Sequence, residues 1–415
     1  MFSFIEKKFN IHLRTYIQEG TFLFSSYFIS ILCTLITSIT FAHLLSKNEY
    51  GTYKLLLSIS AVIGAFTLTG MNTAVTRAIA QNTHSVYRTI VRYQLIWNMV
   101  VTCGVLIYTL FFTPPEGVSR YVLYFITLAT LFLTAFNTYS AYFNGKRNFA
   151  LLTKASISTT LLQTLTVVIV ALTTHSGTGI IIGIFTLQTL TAYYFHRKAK
   201  KEDSGITGYT KEIIHYGIKL SAISFFKNIA EQTDKILTFT ILGPVALALY
   251  SFAYALPDQM RGLYKIIPSL ALPHFSAKEE IRVRMQLKKY LLLLFIVALA
   301  TSMLYALIAP IIFHLLFPTY NESIAYSQVI GITTILLALQ IPLTSYLQAY
   351  KKTKAIIISN SAQLILDSVA IFFFAGRYGI WGVIYGKMLS ALILVSILYI
   401  FTFYSPLSAS QEIRN

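Results

Sequence analysis

Seven ionisable side chains, Lys227, Glu231, Asp234, Lys235, Asp258, Arg261 and Lys265, stand inside the long apolar stretch from Lys227 to Pro273. A charge at the centre of a membrane helix costs roughly 2.5–3.5 kcal/mol even on mild scales, so such residues face a cavity or a partner rather than lipid. At about 100° per residue, Lys227, Glu231, Asp234 and Lys235 share one helical face, and Asp258, Arg261 and Lys265 share another. Pro257 and Pro268 withdraw backbone donors beside the second set, which predicts a bend around the charges. Two such faces can line a hydrated cavity with an excess of positive charge. That cavity would select an anion, and phosphate in particular, which arginine grips with its planar fork and lysine attracts as a point charge. Arg261, Lys265, Lys227 and Lys235 are therefore candidate substrate contacts, joined by Arg77 and by Lys387.

The acids have a second use. A buried carboxylate has its charged form disfavoured, so Asp234, Asp258, Glu231 and Asp367 are candidates for taking up a coupling proton or sodium ion. Local neutralisation competes with both roles. Lys227, Glu231 and Lys235 stand at i,i+4 spacing, and Asp258 and Arg261 at i,i+3. Asp258 can offset only one of the two bases on its own face. Asp367 and Lys387 can equally form a pair of their own, and Arg77 can reach a headgroup from a helix end.

Long apolar runs must position these groups. The chain has 415 residues, 55% apolar and only 12% charged, with a mean hydropathy of +0.65. Ordinary globular domains carry about 25% charged residues, and a soluble fold cannot bury this much apolar surface. A crossing needs roughly 20 apolar residues. Twelve stretches qualify, near residues 21–45, 52–76, 93–112, 121–143, 156–174, 179–195, 218–242, 248–272, 291–313, 324–346, 355–374 and 380–403. The net charge of +18 sits in short clusters between these runs, unlike the basic face of a nucleic-acid-binding protein. Nearly all lysines and arginines outside the runs fall on one side. The other side has Lys47, Arg120 and Arg377, so the positive-inside rule places both termini in the cytoplasm. Phe2–Glu19 has the spacing of a basic interfacial helix. Cys33 and Cys103 fall within apolar runs, which argues against a structural disulfide.

The chain also repeats itself weakly. LLSKNEYGTY from Leu44 matches ILGPVALALY from Ile241, YFNGKRN from Tyr142 matches YLQAYKK from Tyr346, and GIIIG from Gly179 matches GVIYG from Gly382. The offsets are consistent and imply two six-helix halves related by pseudo-two-fold symmetry along the membrane normal. The expected organisation is an all-α polytopic membrane protein with a cytoplasmic interfacial helix (1–19), an N-terminal lobe (20–195), a cytoplasmic linker (196–217), a C-terminal lobe (218–403) and a cytoplasmic tail (404–415). The GxxxG pairs Gly179/Gly183 and Gly382/Gly386 read as close helix packing.

No nucleotide-binding motif, metal-ligand spacing or histidine–acid catalytic pairing is present, and no long outer loop that could hold a catalytic site. The segments LLSKNEYGTYKLL, GMNTAVTRAIA, EQTDKILTFTILGPVALALYSFAYALPDQMRGLYKIIPSLALPHFS, LLFPTYNESI and GRYGIWGVIYGKMLS resemble Wzx-type polysaccharide flippases of the MOP superfamily over nearly the whole chain. LPDQMRG also resembles the cavity-lining helix of the related lipid II flippases, which supports Arg261 as a pyrophosphate contact. The first half departs from that pattern, with only Lys54 and Arg77 near span ends. The resemblance implies a bacterial inner-membrane protein that moves undecaprenyl-pyrophosphate-linked oligosaccharide, such as an O-antigen repeat unit, between leaflets by alternating access. It implies no cofactor beyond a coupling ion, and other polysaccharide assembly proteins as partners. The competing readings are an ion-coupled exporter of the MATE branch, disfavoured by the cationic excess, and a membrane glycosyltransferase or polymerase, for which no residue set is present.

Overall fold

Within hydrocarbon each backbone N–H and C=O must be satisfied internally, which helices do residue by residue. The computed structural model describes residues 13–81, 86–111, 114, 117–203, 210–264 and 280–405, apart from the side chains of residues 13–24, 210 and 261–264. Its helices are α1 (Leu13–Leu44), α2 (Lys47–Phe66), α3 (Met71–Ala80), α4 (Tyr87–Phe111), α5 (Arg120–Phe136), α6 (Thr138–Gly145), α7 (Phe149–Thr174), α8 (Gly177–Glu202), α9 (Thr210–Tyr264), α10 (Glu280–Leu316), α11 (Ser323–Ala349) and α12 (Thr353–Phe403). Among the described residues there is no strand, and nine helical stretches are long and apolar enough to cross a membrane. A tenth arises if α2 and α3, bent by 57° to each other, count as one broken span.

Two helices are too long for a single crossing. α9 has 55 residues and α12 has 51, each on the order of 80 Å against a hydrocarbon core of about 30 Å. Both contain one non-helical glycine, Gly243 (φ 84°, ψ 178°) and Gly379 (φ 59°, ψ −135°). Positive φ is the region that glycine enters without a Cβ penalty, so each long helix is two helices joined at a single residue.

The chain divides into two compact units: Met1–Leu44 with Ile63–Ala222, and Leu45–Val62 with Ile223–Asn415. These differ from the expected lobes of 20–195 and 218–403. Most of α2 belongs to the second unit, and α8 with the start of α9 to the first. The expected linker at 196–217 is largely helical, because α8 continues to Glu202 and α9 begins at Thr210. Two local causes extend α8. His196 is buried with its Nδ1 2.7 Å from the Tyr87 hydroxyl, and Lys200 and Lys201 lie in the last turn, where positive charge complements the helix dipole. The interfacial helix expected at 1–19 lies outside the described residues as far as position 12, and Leu13–Glu19 is the first part of α1. The expected tail, 404–415, lies outside them from residue 406.

In the first unit α1 packs on α7, α7 on α8, α8 on α5 and α3 on α6. The break between α2 and α3 was not legible in the run expected at 52–76, and polar side chains sustain it. Trp97 Nε1 donates to the Phe66 carbonyl at 3.0 Å, Gln94 Nε2 to the Leu68 carbonyl at 3.3 Å, and Gly70 N–H donates to Ser221 Oγ at 2.9 Å. The groups freed by the break therefore find partners without water. In the second unit α10 packs on α11 and α11 on α12.

The repeated sequences have repeated geometry. After α6, Arg147 takes φ 55°, with Lys146 N–H donating to Tyr142 O and Asn148 N–H to Phe143 O. After α11, Lys351 takes φ 54°, with Tyr350 N–H donating to Tyr346 O and Lys352 N–H to Leu347 O. Gly243 falls where the first repeat has the turn between α1 and α2, and Gly379 where it has left-handed His175 (φ 50°) between α7 and α8. The GxxxG glycines pack as expected: a Cβ at Gly183 would come 2.7 Å from Thr166, and one at Gly382 2.0 Å from the Phe374 carbonyl oxygen.

The two copies of the LLSKNEYGTY-type segment meet inside the second unit. A Cβ at Gly51 would lie 1.9 Å from the Pro244 carbonyl oxygen. Beside it Tyr50 packs on Phe252 with ring centroids 4.7 Å apart, Phe252 stacks on Tyr320 at 3.7 Å, and Lys47 pairs with Glu322 at 3.1 Å. Because backbone faces backbone, no rotamer change can relieve the crowding. Gly51→Ala is expected to cost about 1–3 kcal/mol, as overpacking does, and to lower the unfolding temperature of the detergent-solubilised protein. Ala248→Gly, on the matching copy, removes a methyl group instead and tests whether crowding is specific to position 51.

Candidate functional site: a charged cluster in the second unit

Asp234 stands nine residues before Gly243, about 14 Å of helix, and Lys387 eight residues after Gly379, about 12 Å. The two breaks thus set charges on α9 and α12 at similar distances along their helices, about half the thickness of a 30 Å hydrocarbon core. Lys387 reaches both acids. Its Nζ lies 2.9 Å from Asp367 Oδ2, to which it donates a hydrogen bond, and 3.6 Å from Asp234 Oδ2. Asp367 and Asp234 are 0% and 4% exposed. Ser390 donates its hydroxyl to Asp367 Oδ1, and Tyr250 donates to Asp234 Oδ2 at 2.8 Å. Asp234 Oδ1 accepts from the Lys235 backbone N–H at 2.9 Å. Every carboxylate oxygen in this triad has a donor, the condition under which buried ions persist.

Around the triad lie further charges. Lys235 donates to Gln232 Oε1 at 3.1 Å. Lys54, on α2, lies with Nζ 5.2 Å from the Tyr50 ring centroid. Asp258 is within electrostatic range of both Lys54 and Lys235. Three lysines from α2, α9 and α12 and three aspartates therefore share one neighbourhood within the second unit.

Of the residues expected to form the site, the structure brings together Lys235, Asp234, Asp258, Asp367 and Lys387. Lys227 and Glu231 are exposed, and among the described residues neither is in an ion pair, so the expected i,i+4 ladder from Lys227 through Glu231 to Lys235 does not form. Lys387 is engaged by two carboxylates at once, which is the local pairing left open by the sequence with Asp234 added. Arg77 is exposed in the first unit, its guanidinium 5.2 Å from the Tyr216 ring centroid. The side chain of Arg261 and the whole of Lys265 lie outside the described residues. Pro257 lies inside α9, whose non-helical residue is Gly243, and Pro268 lies outside the described residues.

Sequence reasoning missed Lys54, Tyr250 and Ser390. Lys54 stood in a run expected to belong to the other half, and an uncharged hydroxyl gives no signal until its partner is known. It also missed a second buried network in the same unit. Glu280, 0% exposed, is 2.7 Å from Lys352 Nζ and 3.4 Å from Arg284 Nη2, and accepts from the Tyr346 hydroxyl.

The chain is helical, with broken helices, two compact units and a buried cluster of paired charges in the second. Solved structures agree on the fold. An inward-facing multidrug-resistance MATE family transporter of the MOP superfamily matches with TM-score 0.70 at 13% identity, covering 90% of this chain and 93% of that one. The lipid II flippase MurJ in an inward closed conformation matches with TM-score 0.70 at 14% identity, covering 92% and 87%. A MOP-superfamily transporter from Pyrococcus furiosus, described as having a binding pocket of reverse polarity, matches with TM-score 0.64 at 13% identity, covering 94% and 96%. No curated protein matches in sequence. The profile of the polysaccharide biosynthesis protein family matches residues 17–279, more than half of the chain, and the chain belongs to that family.

The triad makes a double-mutant test possible. Lys387→Met leaves two buried carboxylates facing each other and is expected to cost about 3–5 kcal/mol, as breaking a buried ion pair does. Adding Asp367→Asn removes one uncompensated charge and should recover a large part of the lost thermal stability. Additive losses in the two single variants and the double would show that the groups are not coupled.

Proposed function

We propose that this protein is a flippase that carries undecaprenyl-pyrophosphate-linked oligosaccharide, an O-antigen or other surface-polysaccharide repeat unit, across the bacterial inner membrane by alternating access. In this reading α9 and α12 each cross twice and α2–α3 once, giving twelve crossings in all, with both termini cytoplasmic. The observation that carries it is the charge placed at depth in a chain of the polysaccharide biosynthesis family. Lys54 and Lys235 lie beside the triad, and α9 carries Arg261 two turns beyond Tyr254, with Lys265 following. The three lysines and three aspartates of the cluster balance one another, so in this reading the excess positive charge that draws a pyrophosphate comes from Arg261 and Lys265.

Lys387 then holds the carboxylates in place instead of contacting substrate. Coupling by a proton or sodium ion at Asp234 or Asp367 requires Lys387 to leave them. No enzyme chemistry is assigned, and the assembly partners are lipid-linked sugar and membrane lipid.

An ion-coupled exporter is the second reading, and the fold shared with the MATE transporter favours it. An exporter of organic cations needs uncompensated acids, whereas the three aspartates here are balanced by Lys387, Lys235 and Lys54. Arg261→Ala and Lys265→Ala are each expected to reduce translocation of lipid-linked oligosaccharide in proteoliposomes at least tenfold, with unfolding temperature unchanged. Full translocation by both variants would sink the pyrophosphate assignment, and uptake of an organic cation by wild-type vesicles would move the protein to the exporter class.

A further inference from the structure

The first unit contains a cleft of about 510 Å³ between α1, the start of α6 and the first half of α7. Its lining carries no charged residue. By residue type it has seven serines and threonines, one amide, two phenols and Leu152, and carbon makes up the larger part of the wall itself.

Hydroxyls elsewhere on the same helices turn back on their own backbone. On α7, Thr164 donates to the Thr160 carbonyl at 3.0 Å, Thr166 to Leu162 at 2.9 Å and Thr174 to Val170 at 2.8 Å; on α1, Thr34 donates to Ser30 at 2.8 Å. This is the ordinary fate of serine and threonine in an apolar helix. In the cleft Ser140 follows this pattern, donating to the Asn137 carbonyl at 2.8 Å, and several of its neighbours do not. The hydroxyls of Thr153 and Thr159 are buried without a hydrogen-bond partner. Those of Ser30, Thr160 and Tyr139, and the amide of Gln163, make no hydrogen bond to any described residue. Helix-to-helix adhesion does not account for them, since polar residues that hold membrane helices together bond across the interface. Here one pair does so, Ser26 donating to Ser156 at 2.8 Å. Uncommitted donors and acceptors at membrane depth are costly unless something else satisfies them.

We infer that this cleft is a sugar-binding site, taking one or two neutral hexose or hexosamine rings. The argument is chemical. A sugar offers many weak donors and acceptors and no charge, which the uncommitted groups of Ser30, Tyr139, Thr160 and Gln163 complement, and its C–H face can lie against the ring of Tyr27, which lines the cleft and is 37% exposed. The volume falls within the roughly 300–1,000 Å³ of small-molecule sites. The absence of lysine and arginine excludes the pyrophosphate from this place, so anion and glycan are recognised by different residues on different units. The inference rests on the flippase reading for its biological ligand, but the cleft can be tested without it.

Binding to the full-length protein in detergent would be measured with undecaprenyl pyrophosphate, with the same lipid bearing one N-acetylhexosamine, and with free N-acetylhexosamine. Wild type is expected to bind the sugar-bearing lipid about tenfold more tightly than the bare one, which corresponds to about two net hydrogen bonds. In Thr160→Val/Gln163→Leu, which keeps side-chain volume, the preference should fall to about twofold or less while affinity for the bare lipid is unchanged. Ser30→Ala serves if the double variant fails to fold, and should lose part of the same preference. The inference is overturned if wild type shows no preference, or if the folded variants keep it in full. Should wild type bind neither lipid, the flippase reading falls. Stabilisation by free N-acetylhexosamine that the variants lose would then still support the cleft, and no stabilisation would remove it.

Discussion

Hydrocarbon supplies no hydrogen bonds, and that single constraint decides where this chain can break a helix and where it can keep a charge. At the break between α2 and α3 the freed backbone groups are met by Trp97, Gln94 and Ser221. At the triad the carboxylates of Asp234 and Asp367 are met by Lys387, Tyr250 and Ser390. Both are polar features sealed by neighbours on other helices. Sealing is incomplete at scattered buried atoms in both units, among them Asn98 Oδ1, Ser251 and the Tyr320 hydroxyl; the cleft of the first unit differs in gathering two such hydroxyls, those of Thr153 and Thr159, along one wall.

Much of the fold can be read in the sequence because membrane helices announce themselves by length. The runs near 93–112, 324–346 and 179–195 became α4, α11 and α8 with edges moved outward by a few residues, as flanking polar residues extend the helices past the hydrocarbon. The weak internal repeat was informative as well. Its matched segments acquire the same left-handed residue at Arg147 and Lys351, although the two loops share few side chains. The compact units were not legible. Hydropathy reports which residues are apolar and not which neighbour they choose, so it could not show that 45–62 packs with the second unit.

The site shows the same division. Charge within an apolar run is visible in the sequence, and it pointed to Asp234, Lys235, Asp258, Asp367 and Lys387. Pairing between helices is a matter of packing. The pairing of Lys387 with Asp367 was left open by the sequence, and the second partner, Asp234, was not visible because it lies far back on α9. Glu280 was hidden for a different reason: it stood among basic residues that read as a solvated loop, and only the folded chain shows Lys352, Arg284 and Tyr346 closing over it.

The packing of Gly51 on Pro244 also has a consequence for biosynthesis. The two residues are separated by 193 positions in the chain. At 5–20 residues per second, synthesis of that interval occupies roughly 10–40 s. Through that time the 45–62 segment has left the ribosome while the aromatic and proline surface it packs against does not yet exist. Tyr50, 3% exposed in the finished protein, must wait among lipids or insertion machinery. The second unit is therefore assembled from both ends of the message, and a chain arrested before α9 would be left with one segment that has nowhere to go.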